Sequence, residues 1–227
     1  MSVAFEKSFD QASSRLPLKE KGLVLDFVLK FMKDPSQPGL SVEKVDKRGF
    51  RGFWSARVND DLRAIFHKKS DGLNVLVYVD RHAPAYEWAE NRRVGSHPRT
   101  GELQIVVMPE VVEVPAAAPA IAAAKGLFDD AGDDYLLSLG LPAEWLPAVR
   151  RVKDRKQLES VLQKLPEEVA ERLEGVSRGD LVTPPTPAQA GTASLETPES
   201  RRRYYVIHDE SEIELLRDRP IEAWMRY

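Results

Sequence analysis

The sequence predicts an α+β fold, because helical and strand-like segments occupy separate parts of the chain. Two helical segments come first, at residues 5–16 and 18–32, and the breaker run at 34–39 ends them. Strand-like runs joined by turns follow at residues 53–79, and helical patterns return between residues 126 and 179. We therefore expect an N-terminal helical hairpin on an antiparallel sheet, followed by a small helical connector and a strand–helix tail.

The strands are predicted from the alternation of side chains. Trp54, Ala56 and Val58 alternate along one run and are expected to face the helical hairpin. The turn at residues 59–61 separates this run from the next one, and residues 75–79 are apolar on both faces, as in a central strand.

Composition excludes several classes of protein. The 227 residues include no Cys, and the 4 His have no ligand-like spacing, so neither disulfides nor a metal site is expected. No apolar run approaches the roughly 20 residues that span a bilayer. The N-terminus lacks the pattern of a secretory signal. We expect a cytoplasmic protein that does not contact membranes.

The net charge of -3 hides a difference between the two halves of the chain. Residues 1–104 carry a net charge of +4 and residues 105–227 a net charge of -7. A modest surplus of positive charge suits local phosphate contacts better than a broad duplex-binding stripe. Any nucleic-acid site is therefore expected in the first half.

Shifts in composition divide the chain into five parts. We expect a first domain at 1–100, an Ala- and Pro-rich linker at 101–125, a helical connector at 126–179, a flexible linker at 180–200 and a strand–helix tail at 201–227. The linkers have too few large side chains to offset the entropy cost of ordering them.

The connector has recognisable helix ends. Asp154 and Pro166 are predicted to start helices and Gly140 to end one. Its thin core is expected to dock on another surface through Trp145. The LGLP and EWLP turns also allow a helix-hairpin-helix grip on DNA, but the acidic charge and Pro147 favour a helical spacer. One buried stripe is predicted at Leu158, Val161, Leu162 and Leu165.

Arg81, His82 and Tyr86 follow directly after the predicted central strand. Arg, His and Tyr together are typical of surfaces that handle phosphodiesters. The sequence segments FWSARVNDDLRAIFHK and VDRHAPAYEWAENRR lie in this region. About the first 95 residues resemble the RelE/ParE toxin superfamily, in the RelE-like form found ahead of the motor in some UvrD-like superfamily 1 helicases. LLSLGLPAEWLPAVRRV and RRYYVIHDESEIELLRDRPIEAWMRY resemble the connector that precedes that motor.

The resemblance implies a site for RNA without a metal ion. Cleavage of this kind needs a base, an acid and cations that hold the scissile phosphate. Arg63 matches the family's arginine and would clamp the phosphate, while His82 and Tyr86 would act as acid or base, or stack on a nucleobase. Further positive charge would come from Lys44, Lys47, Arg57 and Arg81.

Structural roles remain open for the same residues. Arg63 is equally expected to pair with Asp60, Asp61 or Asp80, His82 to cap the turn into the next helix, and Trp88 to pack against the sheet.

Three functions follow from these interpretations. We favour a nucleic-acid-binding accessory region of a UvrD-like DNA helicase, with RNA or single-stranded DNA as ligand and an intramolecular contact to the motor. The chain has no GxxxxGK[ST] loop, so ATP and Mg would belong to the parent helicase. We expect the chain to be the front of that enzyme. The alternatives are a RelE-type, metal-independent endoribonuclease that acts alone or on the ribosome, and a protein-interaction module.

Overall fold

The computed structural model of the chain describes residues 3–45, 51–109, 125–187, 195 and 198–218. It has the predicted α+β architecture. The chain forms two compact units, one of Met1–Val94 with Ser194–Tyr227 and the other of Gly95–Ala193. The second unit is therefore inserted into the sequence of the first.

The secondary-structure elements follow one another along the chain as β1 (Val3–Glu6), α1 (Lys7–Ser14), α2 (Leu18–Lys33), a 3-10 turn (Pro38–Leu40), β2 (Glu43–Lys44), β3 (Phe53–Arg57), β4 (Leu62–Lys68), β5 (Asn74–Arg81), α3 (His82–Glu90), β6 (Arg92–Ser96), β7 (Leu103–Val107), α4 (Asp133–Ser138), a second 3-10 turn (Ala143–Trp145), α5 (Leu146–Arg150), α6 (Arg155–Leu162), α7 (Glu167–Ser177), α8 (Pro198–Arg201), β8 (Tyr204–Ile207) and α9 (Glu210–Asp218).

The first unit is built on a six-stranded sheet in the order β2-β3-β4-β5-β1-β8. All neighbouring strands in it are antiparallel except β1 and β5, which pair in parallel with Ala4 opposite Val75. β1 was not predicted, and it occupies the start of the expected first helix. A strand of four residues whose partner is about seventy positions away leaves too short a pattern to be recognised locally.

The helical hairpin of α1 and α2 covers one face of this sheet. Ala56, Ala64 and Phe66 share a core with Phe27 and Phe31 of α2. The rings of Phe31 and Phe66 meet edge to face at 4.9 Å between centroids. As predicted, Ala56 is buried in this core, with Trp54 and Val58 packed against its margin. Helix α3 contacts β4 and β5.

The tail is part of the first unit. Strand β8 pairs with β1, with Val3 opposite Ile207, and Ile207 and Ile213 are fully buried in the hairpin-side core. Glu6 and Arg203 form an ion pair at 3.6 Å between Oε1 and Nη2, with side-chain exposures of 7% and 9%. The predicted strand and helix are both present, but β8 completes the sheet of the first unit and α9 packs against α2, so they do not form a separate tail.

The second unit combines strand β7 with helices α4 to α7. Its helix boundaries agree with the predicted signals: Asp154 caps α6 by accepting a hydrogen bond from the amide of Gln157, and Gly140 ends α4 with a φ of 90°. The predicted stripe faces the core of this unit, with Leu158 and Leu165 buried and the two residues between them half-buried.

Two details of the second unit differ from the sequence interpretation. Strand β7 lies within the expected linker 101–125, because Leu103 and Val106 are apolar enough to be buried. Trp145 is only 3% exposed and donates from Nε1 to the carbonyl of Val107 at 2.8 Å, so it belongs to this unit's own core and does not serve as a docking surface.

The LGLP turn is likewise enclosed, which argues against a helix-hairpin-helix grip on DNA. The three carbonyls of residues 139–141 each accept a side-chain hydrogen bond at 3.0 Å, from Arg172, Gln104 and His97 in that order. The amides of Leu139 and Gly140 bond to carbonyls within α4. These amides are therefore not presented to a phosphate, and the helical spacer is the interpretation that fits.

Candidate nucleic-acid interface

Polar side chains from four neighbouring strands share the face of the sheet that packs against α3, here called the α3 face. Glu43 of β2 lies opposite Ser55 of β3, and Arg57 of β3 lies opposite Arg63 of β4. Residues that face each other across a ladder lie on the same side of the sheet, and residues two apart on one strand share that side. The short strand β2 therefore adds the carboxylate of Glu43 to a surface with two guanidinium groups and a hydroxyl group, and Asp80 of β5, opposite Arg63, adds a second carboxylate.

Tyr86 of α3 lies at the centre of this polar group. Its hydroxyl forms a hydrogen bond with Ser55 Oγ at 2.8 Å and donates to Oε1 of Glu43. Burial raises the pKa of Tyr86 and the bond to Glu43 raises it further, while Ser55 and the charge of Arg63 oppose the shift. The hydroxyl therefore holds its proton at neutral pH and acts as a hydrogen-bond donor.

His82 begins α3 and stacks on Tyr86. The two rings lie 4.6 Å apart between centroids with an interplanar angle of 19°. The amide of His82 donates to the carbonyl of Asp61 at 2.9 Å, which ties the start of α3 to the β3–β4 turn. The side chain itself is exposed. His82 thus combines the predicted structural position at the turn with a ring that solvent and ligands can reach.

Arg63 is held by backbone carbonyls. Its Nη1 donates to the carbonyls of Asn59 and Leu62, both at 3.0 Å, and more weakly to that of Asp60 at 3.4 Å. Among the described residues, Arg63 makes hydrogen bonds only through Nη1, and the predicted pairing with an Asp carboxylate does not occur. The turn therefore fixes this guanidinium in place and leaves its Nε and Nη2 edge for another acceptor.

Arg57 is more loosely held than its cross-strand neighbour. Its Nη1 lies 3.9 Å from Oδ1 of Asp60, whose side chain is fully exposed. An exposed pair at this distance contributes little energy and yields readily to a better acceptor. Arg57 and Arg63 together therefore supply two adjacent cationic groups that suit a phosphate.

Two of the other predicted cations, Arg81 and Lys44, lie on the hairpin side and not on the α3 face. Arg81 forms an ion pair with Glu20 of α2 at 2.7 Å, on the hairpin side. Lys44 lies opposite Trp54, also on the hairpin side, with its Nζ 5.5 Å from the Trp54 ring centroid. Lys47 lies outside the described residues. Of the predicted cations in the described part of the chain, Arg57 and Arg63 are those that lie on the α3 face.

Glu43 and Ser55 were not among the residues predicted for this site. Alternation on β3 places Ser55 on the same side as Arg57, and that signal was available in the sequence. Glu43 was not predictable in the same way, because its position follows from the pairing of a two-residue strand with β3 across an intervening loop.

Trp88 packs against the sheet, as predicted, and anchors the C-terminal end of α3 there. Its ring stacks on Tyr78 at 4.6 Å with an interplanar angle of 4°, and Arg92 lies over it at 4.5 Å. Phe53 meets it edge to face at 5.7 Å. Because Trp88 is anchored on the sheet in this way, α3 presents Tyr86 and His82 in a fixed orientation.

The described residues include no group of three or more His, Asp or Glu side chains arranged to hold a metal ion. None of the helices in the described part of the chain is long and apolar enough to cross a membrane. Among the described residues, the α3 face carries two guanidinium groups, a neutral phenol, an imidazole and the carboxylates of Glu43 and Asp80, the latter opposite Arg63.

Comparison of the chain with protein-family models, with curated proteins and with solved structures finds no match. The physical arrangement of the α3 face is thus the basis for a functional proposal.

Proposed function

We propose that the first unit binds single-stranded nucleic acid on its α3 face. The observation that carries this proposal is the position of Arg57 and Arg63 directly opposite each other, beside the stacked rings of His82 and Tyr86. A guanidinium group can donate two parallel hydrogen bonds to phosphate oxygens, and aromatic rings stack on unpaired bases. Two cations form too small a footprint for a duplex, which favours single strands.

The wider role that we propose is that of an accessory region of a UvrD-like DNA helicase in the cytoplasm. This role is supported by the resemblance of the segment FWSARVNDDLRAIFHK and of the C-terminal segment RRYYVIHDESEIELLRDRPIEAWMRY to UvrD-like helicases. In this role the first unit would hold RNA or single-stranded DNA near a motor, and ATP and Mg would bind to the motor. An in-frame GxxxxGK[ST] motif downstream of codon 227 would support this context, and a stop codon there would count against it.

Binding is tested on the full chain with labelled single-stranded RNA, single-stranded DNA and duplex oligomers of equal length. The informative variant is Arg57→Gln, because Arg57 is exposed and its loss leaves the turn intact. Arg81→Gln is the matched control, since it removes the same charge from the end of β5, in the same sheet but on the hairpin side. We expect fluorescence anisotropy to show weaker binding for Arg57→Gln only.

Equal affinities for the wild type and both variants would place the ligand elsewhere. No binding of any oligomer would leave a protein-interaction module as the better function, and tight duplex binding would contradict the choice of single strands.

Metal-independent endoribonuclease activity is a second candidate, and Glu43 is the observation that favours it. Its carboxylate accepts a hydrogen bond from the protonated Tyr86 hydroxyl, and the charge of Arg63 acts on the same hydroxyl. A base, an acid and a phosphate clamp are thus close together, which is the set that attack by a 2′-hydroxyl requires. Glu43 would take the proton of the 2′-hydroxyl, and Tyr86 or His82 would protonate the leaving oxygen.

Cleavage is tested by incubating the chain with single-stranded RNA in EDTA. If this candidate is right, fragments with 2′,3′-cyclic phosphate ends accumulate, Glu43→Gln abolishes them, and Glu87→Gln in the same region does not. Binding without cleavage by the wild type would leave the accessory role standing alone.

A further inference from the structure

The chain leaves α7 of the second unit through a fixed turn. The amide of Gly179 donates to the carbonyl of Val176 at 2.9 Å. The amide of Asp180 donates to the carbonyl of Gly175 at 3.0 Å. These two bonds form the Schellman pair that ends a helix at a glycine. The segment that follows therefore starts in a defined direction.

Val182 anchors this segment on the second unit. The hydroxyl of Tyr135 in α4 donates to the carbonyl of Val182 at 2.7 Å, and the Val182 side chain packs against the core of the unit. An alanine in place of Gly175 would bring a Cβ within 2.9 Å of Val182 Cγ2. Glycine is unfavourable inside a helix, so the close approach of Val182 gives a packing reason for Gly175 in α7.

Prolines hold the rest of the segment in the polyproline II conformation. The rings of Pro184, Pro185 and Pro187 fix φ at about -65°. A residue that precedes a proline is restricted to extended or polyproline II conformations, which adds Thr183 and Thr186. Every residue of this run is thus restricted by its own ring or by its neighbour, and the run lies outside any helix or strand.

The exposure of the segment repeats every three residues. Val182 and Pro185 are half-buried. Leu181, Pro184 and Pro187 are exposed, and Leu181 is 99% exposed. Polyproline II has three residues per turn, so the half-buried pair lies on one edge and the exposed three lie on another. The exposed edge of Leu181, Pro184 and Pro187 is here called the proline ridge.

The proline ridge has the chemistry of a ligand for aromatic side chains. Residues 181–187 include no charged side chain, and residues 105–227 carry a net charge of -7, which disfavours a nucleic acid as the partner. Proline rings pack on aromatic faces, and the carbonyls between them accept hydrogen bonds from Tyr and Trp. A segment that is already in the polyproline II conformation has little entropy to lose on binding.

We propose that the proline ridge docks into a groove lined by aromatic side chains on a protein partner. Because the ridge is seated on the second unit through Val182, it is presented to that partner in its bound conformation. This interaction is independent of nucleic-acid binding by the first unit.

The experiment uses the full chain and three purified probes that have aromatic grooves for such ligands, an SH3, a WW and an EVH1 domain, each isotope-labelled for NMR titration. We expect at least one probe to bind, with shifts confined to its aromatic groove. Replacing both Pro184 and Pro187 by Ala should weaken this binding by about 10-fold or more, the effect of losing an anchor of an interface. Pro98→Ala is the matched control, since Pro98 is an exposed proline of the same unit outside the ridge, and it should leave the affinity unchanged.

The seat of the ridge is tested separately with Tyr135→Phe, which removes the hydrogen bond to Val182. Weaker binding of the probe by this variant supports a ridge that is preformed on the unit, whereas unchanged or tighter binding overturns the preformed ridge.

Two results would overturn the docking proposal itself. One is the failure of all three probes to bind the wild type at millimolar concentration. The other is equal affinity of the double variant and Pro98→Ala. The melting temperature of the double variant should match that of the wild type, since both prolines are exposed, so a loss of binding does not reflect unfolding.

Discussion

The ion pair between Glu6 and Arg203 makes the strongest stability prediction for the first unit. Arg203→Met removes the guanidinium and leaves a carboxylate whose side chain is only 7% exposed. Removing one partner of a buried pair costs about 3 to 5 kcal/mol, because the remaining charge is left without compensation. Glu6 keeps its hydrogen bonds from the amide and hydroxyl of Ser8, which favours the lower end, about 3 kcal/mol.

The prediction is tested by urea and thermal unfolding of the full chain. At about 4 °C per kcal/mol for a unit of this size, the first unit of Arg203→Met should melt about 12 °C lower. Arg202→Met is the matched control, since Arg202 is exposed and its substitution should change the free energy of unfolding by less than about 1 kcal/mol. Adding Glu6→Gln to Arg203→Met should restore part of the loss by removing the buried charge. If Arg203→Met is as stable as Arg202→Met, the tail is not held by this pair.

Three further predictions concern single side chains. Gly52→Ala should lower the free energy of unfolding in urea by more than about 2 kcal/mol, because Gly52 has a φ of 90° and an added Cβ would lie 2.7 Å from Val94 Cγ1. The control Gly72→Ala should lower it by about 1 kcal/mol, because Gly72 has a similar φ of 87° but no atom lies within 4 Å of an added Cβ. Equal losses in the two variants would refute the contact with Val94. Trp54→Ala should lower the free energy of unfolding by about 2 kcal/mol, less than the loss for a fully buried Trp, because the ring is half-buried with Lys68 over it. A loss above about 4 kcal/mol would mean that the ring is fully enclosed. The pKa of Tyr86 is raised in the folded state, so the contribution of this residue to stability is present below about pH 10 and is lost as the pH rises through its pKa in the folded protein. Above about pH 10, Tyr86→Phe should therefore lose less stability than the wild type. Identical alkaline unfolding curves for the two proteins would contradict this.

Local signals in the sequence predicted local structure well. The cap by Asp154 and the helix end at Gly140 need only a few neighbouring residues, and both occur where the sequence placed them. The alternation of side chains on β3 correctly predicted that Ala56 faces the helical hairpin. Each of these features is decided by backbone conformation or by side-chain period, which a short window contains.

Features that depend on distant pairing were not predictable in this way. Strand β1 and the placement of β8 beside it require residues about two hundred positions apart to meet, and nothing in either short segment specifies the partner. The insertion of the second unit into the first is a consequence of the same pairing.

The candidate interface was predicted in part for similar reasons. Arg63, His82 and Tyr86 lie close together as expected, because they follow from strand ends and one helix turn. Arg81 was grouped with them by proximity in sequence, yet the pairing of Leu62 with Arg81 turns it to the hairpin side, where Glu20 binds it. Whether the group binds nucleic acid stays a prediction.

The central claim, that Arg57 and Arg63 bind phosphate, is tested most directly by the salt dependence of RNA binding. For single strands, the logarithm of the binding constant falls with the logarithm of salt concentration by about 0.7 for each phosphate neutralised. Arg57→Gln should therefore have a slope about 0.7 shallower than the wild type, and Arg81→Gln should have the slope of the wild type. If both variants lower the slope equally, or if the wild type binds with no salt dependence, the α3 face is not a phosphate-binding surface.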